Sequence, residues 1–511
     1  MINANDNIST DSNRIVSMFR NDINYGRKRI ILDYDEVTPT NVIEVLQKAL
    51  NAHASNKRDC EYLIKYFLGD QDILYRPAPT TSNINNHTVV NYAFPITREI
   101  VGYTLGSPVE LIAKDGNKRD AVKAVGDAYD YESLNTTDIC TSIYASVCGV
   151  GYYITLPSTE ITKDNTPEIP LVIDFLDPRD TFVVQSNSVS NPQIMSCNII
   201  KRNDGKKIYT CYTDKYKMIV ENMQTVSWAV NPIGKDPITM LENSLFLTGD
   251  WEQAISVMNA SNLIASDSLN DIEGTIRSLL VITGTEFEDG DTSSLQKIKE
   301  NRLLTLVAPN GVGNVDAKYI SPQLDSVSVQ NIREYLDDAR NIITGIPDRE
   351  NNGTGGDTGT AVLNRNGWTD IEIVARLKEM FIKKARKKQL DIGLAILKKL
   401  GLADANLKVS DIDVTIGRHT TDNLATKATA FATLVATNEL ATVDALELSG
   451  LTNRVNEMVE RGRQAKEERQ NLAIQFAKPA ADASGEGMDT KSTGENKTAA
   501  IEKLASPNNN K

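Results

Sequence analysis

The sequence predicts an α+β protein that is predominantly helical, and three observations carry that prediction. Within the first 250 residues, β-rich runs at 171–184 and 207–220 lie among short helical patterns such as 41–50, the mixture expected of an α+β domain. From Trp251 the apolar spacing switches to alternating steps of four and three, the period of packed helices. Past residue 360 helical patterns dominate, and one short strand, Val414-Thr415-Ile416, interrupts them.

The stripe through Trp251, Ile255, Met258, Asn262, Ala265, Leu269, Ile272, Ile276 and Leu279 predicts one helix of about 29 residues, roughly 43 Å long at about 1.5 Å per residue. A second stripe, Val329, Ile332, Leu336, Ala339 and Ile343, ends at Gly345 with Pro347 behind it, a helix stop. Between the two lie an acidic turn, Glu286-Phe287-Glu288-Asp289-Gly290-Asp291, a short helical stretch at 294–301 and a strand-like run at 302–308. The pattern is a long helix, a compact α/β insert and a return helix. Residues 349–360, RENNGTGGDTGT, have almost no apolar side chains and predict a mobile loop. A third long helix over about 361–400 carries a basic cluster at Arg376, Lys378, Lys383, Lys384, Arg386, Lys387 and Lys388. Helical segments follow between about 422 and 476, and the Ala, Ser, Gly, Asn, Lys and Glu composition from Lys478 onward predicts a disordered tail.

Composition narrows the function classes. The chain has 511 residues, 40% hydrophobic and 24% charged, ordinary usage for a protein with packed cores. No run of eighteen apolar residues is present, so no membrane span is expected. The first twenty residues lack the basic start and apolar centre of a secretory signal. Cys60, Cys140, Cys148, Cys197 and Cys211 are scattered without a CxxC pair, which predicts free thiols in a reducing compartment. His53, His87 and His419 have no metal-ligand spacing, and no metal site is expected. Acids outnumber bases, 68 against 55, for a net charge of −13. Tight static binding of DNA needs concentrated positive charge, whereas an acidic wall lets phosphates slide past.

Enzymatic signatures are missing. The glycine-rich stretch 353–359 lacks the Gly-Lys-Ser/Thr of a phosphate loop and follows a helix where a dinucleotide fingerprint would follow a strand. A flexible polar element facing a cavity fits it better. No GxSxG, HExxH or calcium-loop spacing occurs, so no catalytic residue and no cofactor is expected. The basic run from Arg376 to Lys388 can be read as a nucleic-acid contact, or equally as a solvated face or a source of intersubunit salt bridges. A coiled adaptor protein and a nucleotide-driven DNA motor are the rival classes for the whole chain. An elongated dimer would favour the first and ATP turnover the second.

Several segments, in order, resemble the portal family of tailed double-stranded-DNA bacteriophages of the siphophage type. They are YLIKYFLGDQDILYR at 62–76, NYAFPITREIVGYTLGSPV at 91–109, GVGYY at 149–153, Leu176-Asp177-Pro178, SDSLNDIEGTIRSLLVITG at 266–284 and ALEL at 445–448. The resemblance covers roughly residues 40 to 470 and rests on order and spacing, since each piece alone is weakly specific. It implies a portal fold: an α/β wing (1–250), a stem helix (251–283), a small α/β clip (284–323), a stem return helix (324–347), a tunnel loop (348–360), a long kinked helix with a wing strand (361–419), a helical crown (420–477) and the disordered tail (478–511).

The resemblance further implies a homododecameric ring at the unique capsid vertex, through which double-stranded viral DNA is packaged and ejected. Such a protein docks the terminase large subunit and later a head–tail connector, and it nucleates procapsid assembly with the major capsid and scaffolding proteins. It resides in the virion, is assembled in the host bacterial cytoplasm and is not an enzyme. On this sequence the implied tunnel-loop contacts are Arg349, Asn351, Asn352, Gly353, Thr354, Gly355, Gly356 and Asp357. The channel wall falls to Asp267, Asp271, Glu334, Asp337 and Asp338, and the clip docking patch to Glu286, Glu288, Asp289 and Asp291.

Overall fold

The computed structural model describes residues 25–78, 84–129, 131–158, 170–276, 279–283, 303–306, 316–320, 326–347, 368–417, 424–436, 442–449, 451 and 455–477. The chain divides into two compact units, Met1–Thr421 and Asp422–Lys511.

In the first unit, helix α1 (Val42–Phe67) buries Val42, Val45, Leu46, Ala49, His53, Asn56, Cys60 and Leu63, a stripe at the helical period. The sequence reading recognised only 41–50 of this helix, and polar residues lie in the part beyond. Those facing inward are satisfied: Asn56 accepts from Lys28 N and donates to Lys28 O, both at 2.8 Å, and His53 Nε2 lies 3.2 Å from Arg179 O. The stripe packs on a six-stranded sheet in the order β1 (Ile30–Leu32), β5 (Thr181–Ser186), β6 (Gln193–Lys201), β7 (Lys207–Tyr212), β8 (Tyr216–Glu221) and β9 (Gln224–Val230). Only β1 and β5 run parallel; the other neighbours are antiparallel. Met218 and Val220 of β8 point inward at the two-residue period of a strand and join Phe182, Val184, Met195 and Cys197 beneath α1.

A second sheet has the order β10 (Ile238–Glu242), β3 (Val150–Pro157), β4 (Leu171–Leu176), all antiparallel. Helix α4 (Tyr131–Cys148) and a helix of 32 residues, α7 (Trp368–Lys399), pack against it. Ala385, Leu390, Leu394 and Leu397 of α7 share a core with Tyr153, Leu171 and Leu241. The strand expected near 414 is β14 (Ile412–Ile416), paired antiparallel with β2 (Val109–Ala113), and the two close the same core beside α3 (Arg119–Ala128). α7 ends where the sequence reading ended it, with Gly401 at a φ of +71°.

The heptad-type helix is shorter than expected. A 3₁₀ turn covers Glu252–Ala254, helix α5 is Ile255–Ile276, and Leu279 opens strand β11 (Leu279–Thr283). β11 lies between β12 (Leu303–Leu306, parallel) and β13 (Asp316–Ile320, antiparallel). The boundary at 283 is thus corrected to 276. An uninterrupted apolar run such as LLVIT satisfies a helical stripe and a central strand equally, and pairing on both edges decided for the strand. The return helix is α6 (Ser326–Thr344). In the second unit, helices α8 (Leu424–Ala436), α9 (Thr442–Ser449) and α10 (Val455–Ala477) follow one another, as the helical patterns predicted. No helix among the described residues is long and apolar enough to cross a membrane. All five cysteines are free, and Cys140 alone is only partly buried.

Candidate functional site

The first end of α5 is anchored in a core. Trp251 is fully buried, stacks on Tyr66 at 5.5 Å between ring centroids and donates Nε1–H to Thr97 Oγ1 at 3.0 Å, with Ile255 and Met258 packed beside it. Beyond Met258 the stripe turns polar. Asn262, Ser266 and Asn270, spaced i, i+4, i+8, accept hydrogen bonds from the backbone N–H groups of Val90 (2.7 Å), Thr88 (2.9 Å) and Asn86 (2.7 Å). Four residues of helix rise about 6.0 Å and two residues of extended chain about 6.6 Å, so the two elements stay in step while running antiparallel. Asn262 Nδ2 also donates to buried Gln71 Oε1 at 2.6 Å, and Gln71 donates to Tyr66 O and Asn91 Oδ1. Tyr66 Oη donates to Asn259 Oδ1 at 2.8 Å, and Asn259 Nδ2 to Asp72 at 2.9 Å. The sequence reading counted Asn262 as a seam position. The N-x3-S-x3-N spacing was the available signal for this ladder.

α6 is tied to the segment before α4 through Tyr92. Arg340 lies over the Tyr92 ring, 3.7 Å from its centroid, and pairs with Asp337, which also accepts from Tyr92 Oη at 3.1 Å. The helix stops as expected: Gly345 adopts a φ of +68°, and Ile346 N–H reaches back to Asn341 O at 3.2 Å. A Cβ on Gly345 would lie 2.9 Å from Val374 Cγ2, so the end of α6 touches the start of α7. Ile346 and Val374 pack against the same Trp251 core. The described chain therefore leaves at Pro347 and returns at Trp368 at one junction.

Of the five acids assigned to a channel wall, Asp267 pairs with Arg76 at 2.5 Å and Asp337 with Arg340. Glu334 and Asp338 are exposed, with Glu334 accepting from Gln330 at 2.8 Å, and Asp271 is half-buried. The loop residues Arg349, Asn351, Asn352, Gly353, Thr354, Gly355, Gly356 and Asp357 lie outside the described residues, as do Glu286, Glu288, Asp289 and Asp291.

The basic run on α7 is largely engaged within the chain. Lys378 pairs with Asp250 at 2.6 Å, Lys383 with Glu379 at 2.7 Å and Lys384 with Glu242 at 2.8 Å, while Arg376 pairs with Glu372. Arg386 is buried with Asp138, which also accepts from Tyr153 Oη at 3.0 Å. Burial pushes the Asp138 carboxyl up and the guanidinium pulls it back. Burial likewise would lift Glu242, but Lys384 and Arg29 together hold it below the usual carboxylate range. Burial and neighbouring Lys384 lower Lys388. Lys384–Glu242 ties α7 to the second sheet and Arg386–Asp138 ties it to α4, whereas Lys383–Glu379 and Arg376–Glu372 are pairs within α7 itself. Arg376, Lys384 and Lys387 are exposed, as a solvated face would have them, while the pairing of Lys378, Lys384 and Arg386 with distant acids of the same subunit was not anticipated. Among the described residues no cluster of His, Cys, Asp and Glu could hold a metal ion.

None of the curated proteins matches the chain in sequence. Among solved structures, it is similar to one described as the neck of an empty GTA particle computed with C6 symmetry, at 14% identity and a TM-score of 0.43, over 77% of this chain and 94% of that one. It is also similar to the neck of a native GTA particle computed with C12 symmetry, at 12% identity and 0.42, over 71% and 91%. A third, the virion of a native gene transfer agent particle, is 14% identical with a TM-score of 0.38, over 77% and 94%. In sequence, residues 46–472 match the family described as phage portal protein, SPP1 Gp6-like. With the match spanning most of the 511 residues, the chain belongs to the phage portal protein family.

Proposed function

We propose that this protein closes into a ring of about twelve identical subunits around double-stranded viral DNA at one capsid vertex, and that DNA enters and leaves through that ring. Family membership over residues 46–472 carries the reading. The helix pair supports it, because Tyr335 and Ile342 of α6 and Leu269 and Ile272 of α5 stay exposed on a single subunit and call for neighbours. Electron microscopy of the purified chain tests it. A ring of roughly twelve subunits with a central hole is expected, and a stable monomer or elongated dimer would overturn it.

The loop after Pro347 is the proposed gate. The described ends that flank it, Gly345 and Val374, touch each other, and Arg349, Asn351, Asn352 and Thr354 are the proposed DNA contacts beside Gly353, Gly355, Gly356 and Asp357. Deleting 353–356 should impair packaging or DNA retention while leaving the ring intact; normal packaging by the deletion would reduce the loop to a connector. For the proposed channel wall, Asp267 and Asp337 already pair with arginines, and of the five candidate acids Glu334 and Asp338 are the exposed ones. Between α5 and α6, Glu286, Glu288, Asp289 and Asp291 are the proposed docking patch for the terminase large subunit during packaging and a head–tail connector afterwards. Reversing those charges should abolish terminase pull-down. Nucleation of procapsids with major capsid and scaffolding proteins, in the host bacterial cytoplasm, completes the proposed role. Co-expression with and without this chain checks it through the yield of closed shells bearing one ring.

A further inference from the structure

The loop Ser244–Leu247 exposes two large apolar side chains, Leu245 at 67% and Phe246 at 72%, with Tyr25 at 60% beside them. The backbone behind them is rigidly wedged. A Cβ on Gly26 would lie 2.2 Å from Phe246 O, and one on Gly149 would lie 1.9 Å from Leu247 O, so two neighbouring segments press directly on the loop. Leu247 holds a φ of +54°, in the left-handed region that a leucine seldom adopts. Arg27 N–H donates to Leu247 O at 3.0 Å and Thr248 N–H to Ser244 Oγ at 2.9 Å. Apolar side chains fixed outward on a pre-ordered loop lose little entropy on docking, which suits a binding anchor.

The rim is basic. Arg27 is engaged by buried Glu252, and Arg29 and Lys384 share Glu242, so exposed Lys28 adds a surplus positive charge. The complement to this patch lies on the same chain. Along α6, Tyr335 (71% exposed), Asp338 and Ile342 (81%) follow at i, i+3, i+7, an apolar line of about 10 Å with an acid in its middle. Glu334 borders it, while Arg340 is turned to the opposite side, against Tyr92. Both patches stay open on one subunit, so neither covers the other within it.

We infer that the Leu245–Phe246 loop of one copy docks on the Tyr335–Ile342 face of the next copy's α6, with Lys28 meeting Asp338. This deepens the ring reading above and rests on it. The contact joins two different patches, and a heterologous contact propagates round a ring where a self-complementary one would stop at a dimer.

Cross-linking tests it. Phe246→Cys and Ile342→Cys are combined in the full chain with half-buried Cys140→Ser, and rings are oxidised mildly. A covalent ladder of dimer, trimer and higher species on a reducing-agent-free gel is expected. Rings by microscopy without a ladder would overturn the contact and leave the ring reading standing, whereas absence of rings in the unmodified chain would overturn that reading itself. If the cysteine chain does not assemble, Lys28→Glu decides. It should weaken association about threefold, and adding Asp338→Lys should restore it. No restoration would sink the proposal.

Discussion

α7 and the second sheet differ from α5 and α6 in what they leave unmatched. Around α7 charges meet partners inside the subunit: Arg386 with Asp138, Lys378 with Asp250, Lys384 with Glu242. Along α5 backbone donors of the neighbouring segment meet side chains in a ladder, but the outer faces of α5 and α6 keep Leu269, Ile272, Tyr335 and Ile342 in water. The sheet-facing side of α7 is closed within the subunit, while its outer face also leaves Ile373, Leu377 and Met380 exposed. The other region engages the backbone donors of Asn86, Thr88 and Val90 and leaves its apolar groups exposed, as the proposed ring would require.

The largest expected effect breaks the sheet-facing side of α7. Arg386→Ala leaves Asp138 as a buried unpaired charge and should lower stability by about 3–5 kcal/mol, read in denaturant melts; an effect below about 1 kcal/mol would mean the region is not closed as described. A second prediction uses a buried acid at the edge of this region. Asp236 accepts from Ser196 Oγ and Ile238 N–H, yet burial pushes its carboxyl up to about 7. Its unfolded value is about 4, so the raised folded value favours the fold fully below about pH 4, and that contribution fades as pH rises through 7. Stability should fall by up to about 4 kcal/mol across that window, and Asp236→Asn should flatten the slope.

Asn262→Leu sharpens the comparison further. A coiled seam would gain from leucine there, whereas the ladder loses the acceptor for Val90 N–H and the donor to Gln71, so about 2–3 kcal/mol of destabilisation is expected. Thermal melts of the variant give the sign at once. The smallest effect on subunit stability belongs to Tyr335→Ser with Ile342→Ser. Melting of the dissociated chain should be nearly unchanged while ring formation, followed by native mass measurement, declines. Equal losses in both would erase the distinction between the two regions.

How much was legible beforehand follows the range of the interaction involved. Hydrophobic period, turn residues and helix stops are written locally, so the α+β order, the stop at Gly345-Pro347, strand β14 and the helices between 424 and 477 could be read from the residues themselves. The family resemblance was likewise carried by ordered local segments, and residues 46–472 match that family. Partners distant in sequence were not legible. The pairing of Asp337 with Tyr92, of Arg386 with Asp138 and of Asn262 with Val90 joins residues 245, 248 and 172 apart, and no local pattern encodes such meetings.

Residue type and spacing therefore determined which elements form and which family they compose. Tertiary structure decided where the heptad-type helix yields to a strand, which acids keep their charge and which basic residues remain free to act. The reason is energetic. A helix or turn is specified by torsional preference and burial of its own side chains, whereas the state of a charge depends on what the fold brings within a few ångströms of it.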